Sequence, residues 1–297
     1  MEIEKTYAIS GASGFIGEFL TLYLSSYQLI FLRRGEIFLG NAIAVVNLAG
    51  KAHDIKQVAD PKEYYQVNTD YSNELFDAFL TSKAKVFITL SSVKAVADEV
   101  EGELTEDVTP NPSNHYGKSK LLAEQYILSQ PIPDGKRVYI LRPCMIHGPG
   151  NKGNLNLLYS LVSKGFPWPL GLFENSRSYL SIENLCFIIK ELIEREDITS
   201  GVYNVADDVP LSTNEVINMI AESKGKKARI LNLSKNLIKA LSRVGDLLKL
   251  PLNSERLQKL TECYVVSNAK IKEALGKTFP VSSKEGLMRT FQSFGDN

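Results

Sequence analysis

Cysteine is scarce: Cys144, Cys186 and Cys263 are the three in 297 residues. They stand far apart with no Cys-x-x-Cys pair, which argues against a disulfide framework or a zinc site and fits a reducing cytoplasm. No metal is expected. Net charge is lacking too, since 34 lysines and arginines balance 34 aspartates and glutamates. No overall field therefore draws the chain to nucleic acid or to an anionic membrane, and a small anionic ligand needs a local pocket. Nor is there a long hydrophobic run. The most apolar early stretch, Phe19 to Leu32, contains Ser25, Ser26, Tyr27 and Gln28 and follows a glycine-rich turn. It reads as a helix followed by a strand, with no signal peptide or membrane span. Repeats and low-complexity tracts are absent. What remains is a globular composition, 44% hydrophobic and 23% charged, long enough for one large core and a smaller lobe.

Up to about Gly150, short apolar runs alternate with longer helical segments, the pattern of a parallel α/β sheet. The runs are Thr6 to Ser10, Leu29 to Leu32, Ile43 to Ala49, Lys85 to Ser91 and Arg137 to Arg142. Helices fit at Ile16 to Ser26, Lys62 to Ser82 and Tyr116 to Ser129. After Gly150 the texture changes to Gly-Pro and Phe-Pro-Trp-Pro punctuation with shorter helices, so residues 1–150 and 151–297 read as two units, some segments of the second returning to the first. One interval is too short for the pattern. Nine residues separate Leu32 from Ala42, fewer than a helical crossover needs. Extended, they span roughly 30 Å, enough to reach the foot of a strand two positions away. The sheet is expected to be shortened here, with Glu36 to Leu39 making the return as an extended edge segment.

The first strand ends in Ser10-Gly11-Ala12-Ser13-Gly14-Phe15-Ile16-Gly17, a Gly-x-x-Gly-x-x-Gly turn between strand and helix. Gly11 permits the turn, Gly14 lets backbone N–H groups approach a pyrophosphate, and Gly17 lets the helix pack closely on the sheet. The helix start adds partial positive charge. Together these predict a Rossmann-like, doubly wound parallel sheet with a smaller C-terminal α/β lobe, binding NAD or NADP. At the end of the second strand an acid holds the ribose hydroxyls of NAD, whereas arginine accommodates the extra phosphate of NADP. Arg33 and Arg34 stand there with no acid, which favours NADP; the plainer alternative is two solvated arginines in a surface turn.

His115-Tyr116-Gly117-Lys118-Ser119-Lys120 opens a helix that puts Tyr116 and Lys120, four residues apart, on one face. A phenol of ordinary pKa near 10 is a poor base at neutral pH. A neighbouring ammonium and an oxidised nicotinamide both favour the phenolate. Such a pair is common on helix surfaces, but here Ser91-Ser92 ends an apolar strand upstream, where parallel sheets bind ligands.

These features in this order resemble the extended short-chain dehydrogenase/reductase family, and within it the nucleotide-sugar epimerases and reductases. The resemblance runs through Val45-Val46-Asn47-Leu48-Ala49-Gly50, Val67-Asn68, Ser91-Ser92, Tyr116-x-x-x-Lys120, Leu141-Arg142-Pro143, His147-Gly148-Pro149-Gly150 and Arg177 to Leu185. It implies that Tyr116 is the acid/base, that Lys120 tunes it and holds the nicotinamide ribose, and that Ser92, with Ser91 as the alternative, orients the substrate hydroxyl. Asn68 is implied as a support behind the nicotinamide. Gly11, Ser13, Gly14, Phe15, Ile16, Gly17, Leu48, Ala49, Gly50 and Ser91 are implied to line the cofactor. A nucleotide-diphosphate sugar is the implied partner, gripped by Asn154 and Arg177 and by Arg256, the plainer alternatives being a helix cap for Asn154 and surface ion pairs for the arginines. His53 and Lys94 are expected to face the sugar, and Phe166 to Leu170 to line the nucleoside or pack the lobe. A homodimer through the helix of Tyr116 is a further implication.

Two departures stand out. The short interval after Leu32 removes the family's usual third strand and one wall of the adenine pocket. The tyrosine common before Gly-Pro-Gly is His147 here, and with Cys144 it either packs the strand or shapes the sugar pocket. Among reactions, dehydration needs an Asp-Glu pair after the hydroxyl residue, and Val93-Lys94 follows Ser92 instead. Epimerisation at carbon 4 of a UDP-hexose or N-acetylhexosamine, and reduction of a UDP-4-keto-hexose, both remain open. The contrasting reading is a non-catalytic NADP-binding regulator, which the retained tyrosine and lysine argue against.

Overall fold

A computed structural model of the chain describes residues 5–51, 60–151, 153–248 and 253–295. The first half runs β1 (Thr6–Ser10), α1 (Phe15–Tyr23), β2 (Gln28–Leu32), β3 (Ala44–Asn47), α2 (Pro61–Tyr64), α3 (Tyr71–Thr81), β4 (Val86–Leu90), β5 (Glu103–Leu104), α4 (His115–Ser129) and β6 (Arg137–Pro143). The second runs β7 (Met145–His147), α5 (Asn154–Ser163), β8 (Tyr179–Ser181), α6 (Ile182–Glu194), β9 (Gly201–Val205), α7 (Thr213–Glu222), α8 (Lys235–Leu248), α9 (Ser254–Thr261), β10 (Val265–Val266), α10 (Ala269–Leu275) and α11 (Ser283–Ser293). Among the described residues no helix is long and apolar enough to cross a membrane.

Six strands pair in the order β2-β1-β3-β4-β6-β9, all parallel. Alternate side chains feed opposite faces. Tyr7, Ile9, Val46 and Ile88 pack towards α1 and α6, while Ala8, Val45 and Phe87 meet Leu75, Phe76 and Phe79 of α3 and Ile127 of α4. Both faces being covered explains why the strands read as continuous apolar runs. A separate core gathers Leu158, Trp168, Val216, Ile220, Leu287 and Phe291. β9 returns to the sheet beside β6. Ser212 and Glu215 cap α7 reciprocally, and the hydroxyls of Ser181 and Ser282 cap α6 and α11.

The sheet is shortened where the interval after Leu32 requires it, and β2 is its edge. The connection differs from the extended segment expected at Glu36 to Leu39. Glu36 N–H donates to the Arg33 carbonyl at 3.2 Å and Gly35 takes φ 81°, closing a tight turn. A second turn follows, Ala42 N–H donating to Leu39 C=O with Gly40 at φ 53°. With its own backbone groups paired locally, the segment adds no strand. Two helices differ as well. α1 stops at Tyr23 instead of Ser26, because Ser25 and Tyr27 turn back on Leu22 and Leu24. The single helix expected from Lys62 to Ser82 contains a π-helical stretch, Tyr65–Asp70, between α2 and α3.

Candidate active site

At the head of β1, Gly11 sits at φ 72°, and a Cβ there would lie 2.7 Å from the Ala49 nitrogen. The end of β3 is thus laid directly on the turn, with Leu48 N–H donating to Ser10 C=O at 3.2 Å and Ala49 N–H to Ser10 Oγ at 3.3 Å. A Cβ on Gly17 would meet the Gly11 carbonyl oxygen at 2.2 Å, so α1 can seat only with glycine there. Gly14 caps α1 with no side chain to occupy the first N–H groups, and Ser13 and Gly14 are exposed. Phe15 and Ile16 follow, half-buried against the core. A bare, glycine-lined helix start fits a dinucleotide pyrophosphate. Arg33 and Arg34 lie exposed at the end of β2, and the charge of Arg34 reaches the buried Tyr71 phenol.

The second cluster is built where α4 abuts the end of β4. After Ser91 and Ser92 a single turn, Val93–Ala95, is capped by Ser92 Oγ, which accepts from Lys94 N–H at 3.2 Å. Asn114 caps α4 by accepting from Gly117 N–H at 2.8 Å, and Asp98 holds Ser113 and Asn114. A Cβ on Gly117 would stand 2.3 Å from the Lys94 carbonyl oxygen, so the glycine lets the two turns touch. The Ser92 hydroxyl is thereby brought close enough to Tyr116 to bear on its phenol. Burial pushes the Tyr116 phenol up, the nearby Ser92 hydroxyl opposes this, and Tyr64, edge-on at 6.2 Å, adds to the rise. Lys120 is buried, its amine donating to Leu90 C=O at 2.7 Å. Burial pushes it down to about 8, with Glu124 opposing. In the protein alone burial dominates at Tyr116, and the expected lowering therefore calls for more positive charge than the chain brings.

Asn68, fully buried in the π-helical stretch, ties this cluster to the first. Its Oδ1 accepts from Lys51 N–H at 2.8 Å, and its Nδ2 donates to Lys51 C=O at 3.2 Å and Ser119 Oγ at 3.0 Å. Gly50 lies between them, a Cβ there falling 3.1 Å from Lys120 Nζ. Ser91 is turned away from this space. Its hydroxyl donates to Glu124, which also accepts from Arg142 at 2.6–3.1 Å, and its N–H donates to Leu141 C=O. Of the two serines, Ser92 is the one whose hydroxyl bears on the Tyr116 phenol.

The residues expected on the sugar side are less closely gathered. His53 lies outside the described residues, as does the side chain of Asn154, whose backbone opens α5. Arg177 is half-buried, 3.5 Å from Glu262, and its guanidinium donates to the Lys259 carbonyl of α9. Lys94 stands within its field, but the amine is held by Asp98 C=O at 2.7 Å and lies 4.1 Å from the Tyr264 ring centre. Arg256 is exposed on α9, its backbone capped by Asn253. Trp168 is buried in the second core and donates to Asn214 at 3.0 Å, so it packs the lobe. His147 is fully buried between Thr290, at 2.9 Å, and Asp207, at 3.6 Å. Cys144 belongs to the first core, where burial pushes its thiol up. Both strand residues pack.

Sequence reasoning passed over Glu124, Tyr64, Asp98 and Tyr264. Glu124 was within reach, since it continues the Tyr116–Lys120 stripe one turn further along α4. The other three are brought in by tertiary contacts that carry no local signal. Among the described residues no cluster of histidine, cysteine and carboxylate side chains is arranged to hold a metal.

A sequence profile of the NAD dependent epimerase/dehydratase family matches residues 7–206. UDP-glucose 4-epimerase of Vibrio cholerae is 33% identical over 268 residues, covering 87% of this chain and 79% of the relative. The N-acetyl-alpha-D-glucosaminyl-diphospho-ditrans,octacis-undecaprenol 4-epimerase of Escherichia coli O157:H7 is 28% identical over 256 residues, covering 84% and 76%. Among solved structures, UDP-glucuronic acid 4-epimerase from Bacillus cereus in complex with NAD shares the fold, with TM-score 0.75, 19% identity and coverage of 98% and 99%. The glycine turn, the Ser92–Tyr116 contact and these matches agree: the chain belongs to the NAD dependent epimerase/dehydratase family.

Proposed function

We propose that the chain interconverts the carbon-4 epimers of a UDP-hexose or UDP-N-acetylhexosamine. The observation that carries the reading is the seating of α4 against the end of β4, where Lys120, one turn behind Tyr116, donates to the Leu90 carbonyl and the Gly117 contact lays Tyr116 beside the Ser92 turn. In this reading residues 1–150 hold the nucleotide cofactor on the Gly11 to Gly17 turn, and residues 151–297 mainly hold the substrate. A nicotinamide cofactor held on this turn would supply reversible hydride exchange at carbon 4 of the sugar. Tyr116 Oη accepts the proton of the 4-hydroxyl and gives it back to the keto oxygen. Ser92 Oγ orients that oxygen, and Lys120, whose own proton leaves near pH 8, stays mostly charged at neutral pH and supports the phenolate. Asn68 fixes the Gly50–Lys51 turn against α4.

Arg177, together with Asn154 and Arg256, is assigned to the diphosphate in this reading. A homodimer through α4, which leaves Leu122 and Leu128 exposed, and a cytoplasmic location belong to the same reading. A second reading, reduction of a UDP-4-keto-hexose by NADPH, is favoured by Arg33 and Arg34 at the end of β2. The purified protein given UDP-glucose and NAD is expected to form UDP-galactose, read by proton NMR. Oxidation of NADPH by a UDP-4-keto-hexose, with no epimer formed, selects the reductase; neither reaction overturns both.

A further inference from the structure

The balanced net charge conceals a strongly unbalanced segment. Between Ser223 and Gly245 stand Lys224, Lys226, Lys227, Arg229, Lys235, Lys239 and Arg243, and no acid. All seven are exposed. The ion pairs of the described residues, such as Lys190 with Glu194 and Lys272 with Asp208, involve none of them.

The same segment carries α8, whose residues sort into three arcs at 100° per residue. Ile238, Ser242 and Gly245 are buried and seat the helix on the lobe. Lys235, Lys239 and Arg243 form one flank. Leu237, Leu241, Val244, Leu247 and Leu248 form the remaining arc, all about half exposed or more, Leu247 reaching 82%. The acid on this helix, Asp246, is engaged by Ser254 of α9, accepting from its N–H at 2.9 Å and its hydroxyl at 2.5 Å. A leucine arc left exposed among the described residues, beside a basic flank, is the composition of a helix lying in a lipid–water interface. A second copy of the chain is a poorer occupant, because a symmetric contact would oppose two basic segments.

We infer that α8 docks this protein on an anionic phospholipid surface, the leucine arc entering the headgroup boundary and Lys235, Lys239 and Arg243 meeting lipid phosphates. The inference is independent of the reaction proposed above, since α8 carries none of its residues. It is tested by sedimentation of the full chain with vesicles of phosphatidylcholine alone or with phosphatidylglycerol added. Binding to the anionic vesicles is expected to be at least about tenfold tighter and to weaken with salt.

A Leu241→Ser/Leu247→Ser variant and a Lys235→Gln/Lys239→Gln/Arg243→Gln variant, each confirmed folded by its circular dichroism melt, are expected to lose about tenfold or more of that binding. Turnover measured without vesicles is expected to stay at the parent level in both. Equal binding to neutral and anionic vesicles, no binding, or binding unchanged in both variants overturns the inference. So does velocity sedimentation showing that the leucine variant converts a dimer to monomers, which would mean that the arc covers a second copy.

Discussion

The end of β4 and the end of β2 face the same edge of one parallel sheet and are built in opposite ways. At β4 the polar groups are buried and joined. Ser91, Glu124 and Arg142 form one network, and Ser92 and Tyr116 meet across the Gly117 contact. At β2 the chain turns back through Gly35 and leaves Arg33 and Arg34 in solvent. The difference separates two tasks. In the function proposed above, the group that must keep its proton state and position is held by side chains that are themselves fixed, whereas the arginines proposed to select between two cofactors act from an open turn.

The contrast is broken most severely at the phenol. Tyr116→Phe is expected to lower turnover about a thousandfold while nucleotide binding, followed by fluorescence titration, stays near the parent value. Next comes the network behind it. Glu124→Ala leaves the Arg142 guanidinium buried without its partner and is expected to cost about 3–5 kcal/mol in urea unfolding.

A pH titration of stability sharpens the comparison further. Folded Lys120 releases its proton near pH 8 and the unfolded lysine near 10.5, so between these values the unfolded chain holds the extra proton. Stability therefore rises with pH across that window, by roughly 3 kcal/mol for the full displacement. Lys120→Met is expected to remove this rise. The smallest effect belongs to β2. Arg33→Ser with Arg34→Ser is expected to weaken NADPH about tenfold relative to NADH, roughly 1.4 kcal/mol, and to move stability by less than about 0.5 kcal/mol.

The same two regions mark what was legible in the sequence. Strand positions and the glycine turn were readable because burial on both faces leaves unbroken apolar runs and because Gly11 and Gly17 sit where a Cβ has no room. The missing third strand followed from counting residues between Leu32 and Ala42. The path taken there did not, since a local hydrogen bond from Glu36 to Arg33 decides it. Nor did the π-helical stretch that carries Asn68, because its insertion into an otherwise helical pattern leaves no periodic mark. Tyr116, Lys120 and Ser92 were legible as residue types at strand and helix ends. Ser91 stood as the alternative to Ser92, and its bond to Glu124, which turns its hydroxyl from the phenol, had no local signal.

The central claim is that the carbon-4 hydride leaves the sugar and returns while Tyr116 moves only the hydroxyl proton. UDP-glucose deuterated at carbon 4 tests it directly, by mass spectrometry and NMR of the epimer formed with NAD in ordinary water. The account predicts UDP-galactose with the deuterium still on carbon 4. Epimer carrying a solvent proton at that carbon would contradict it.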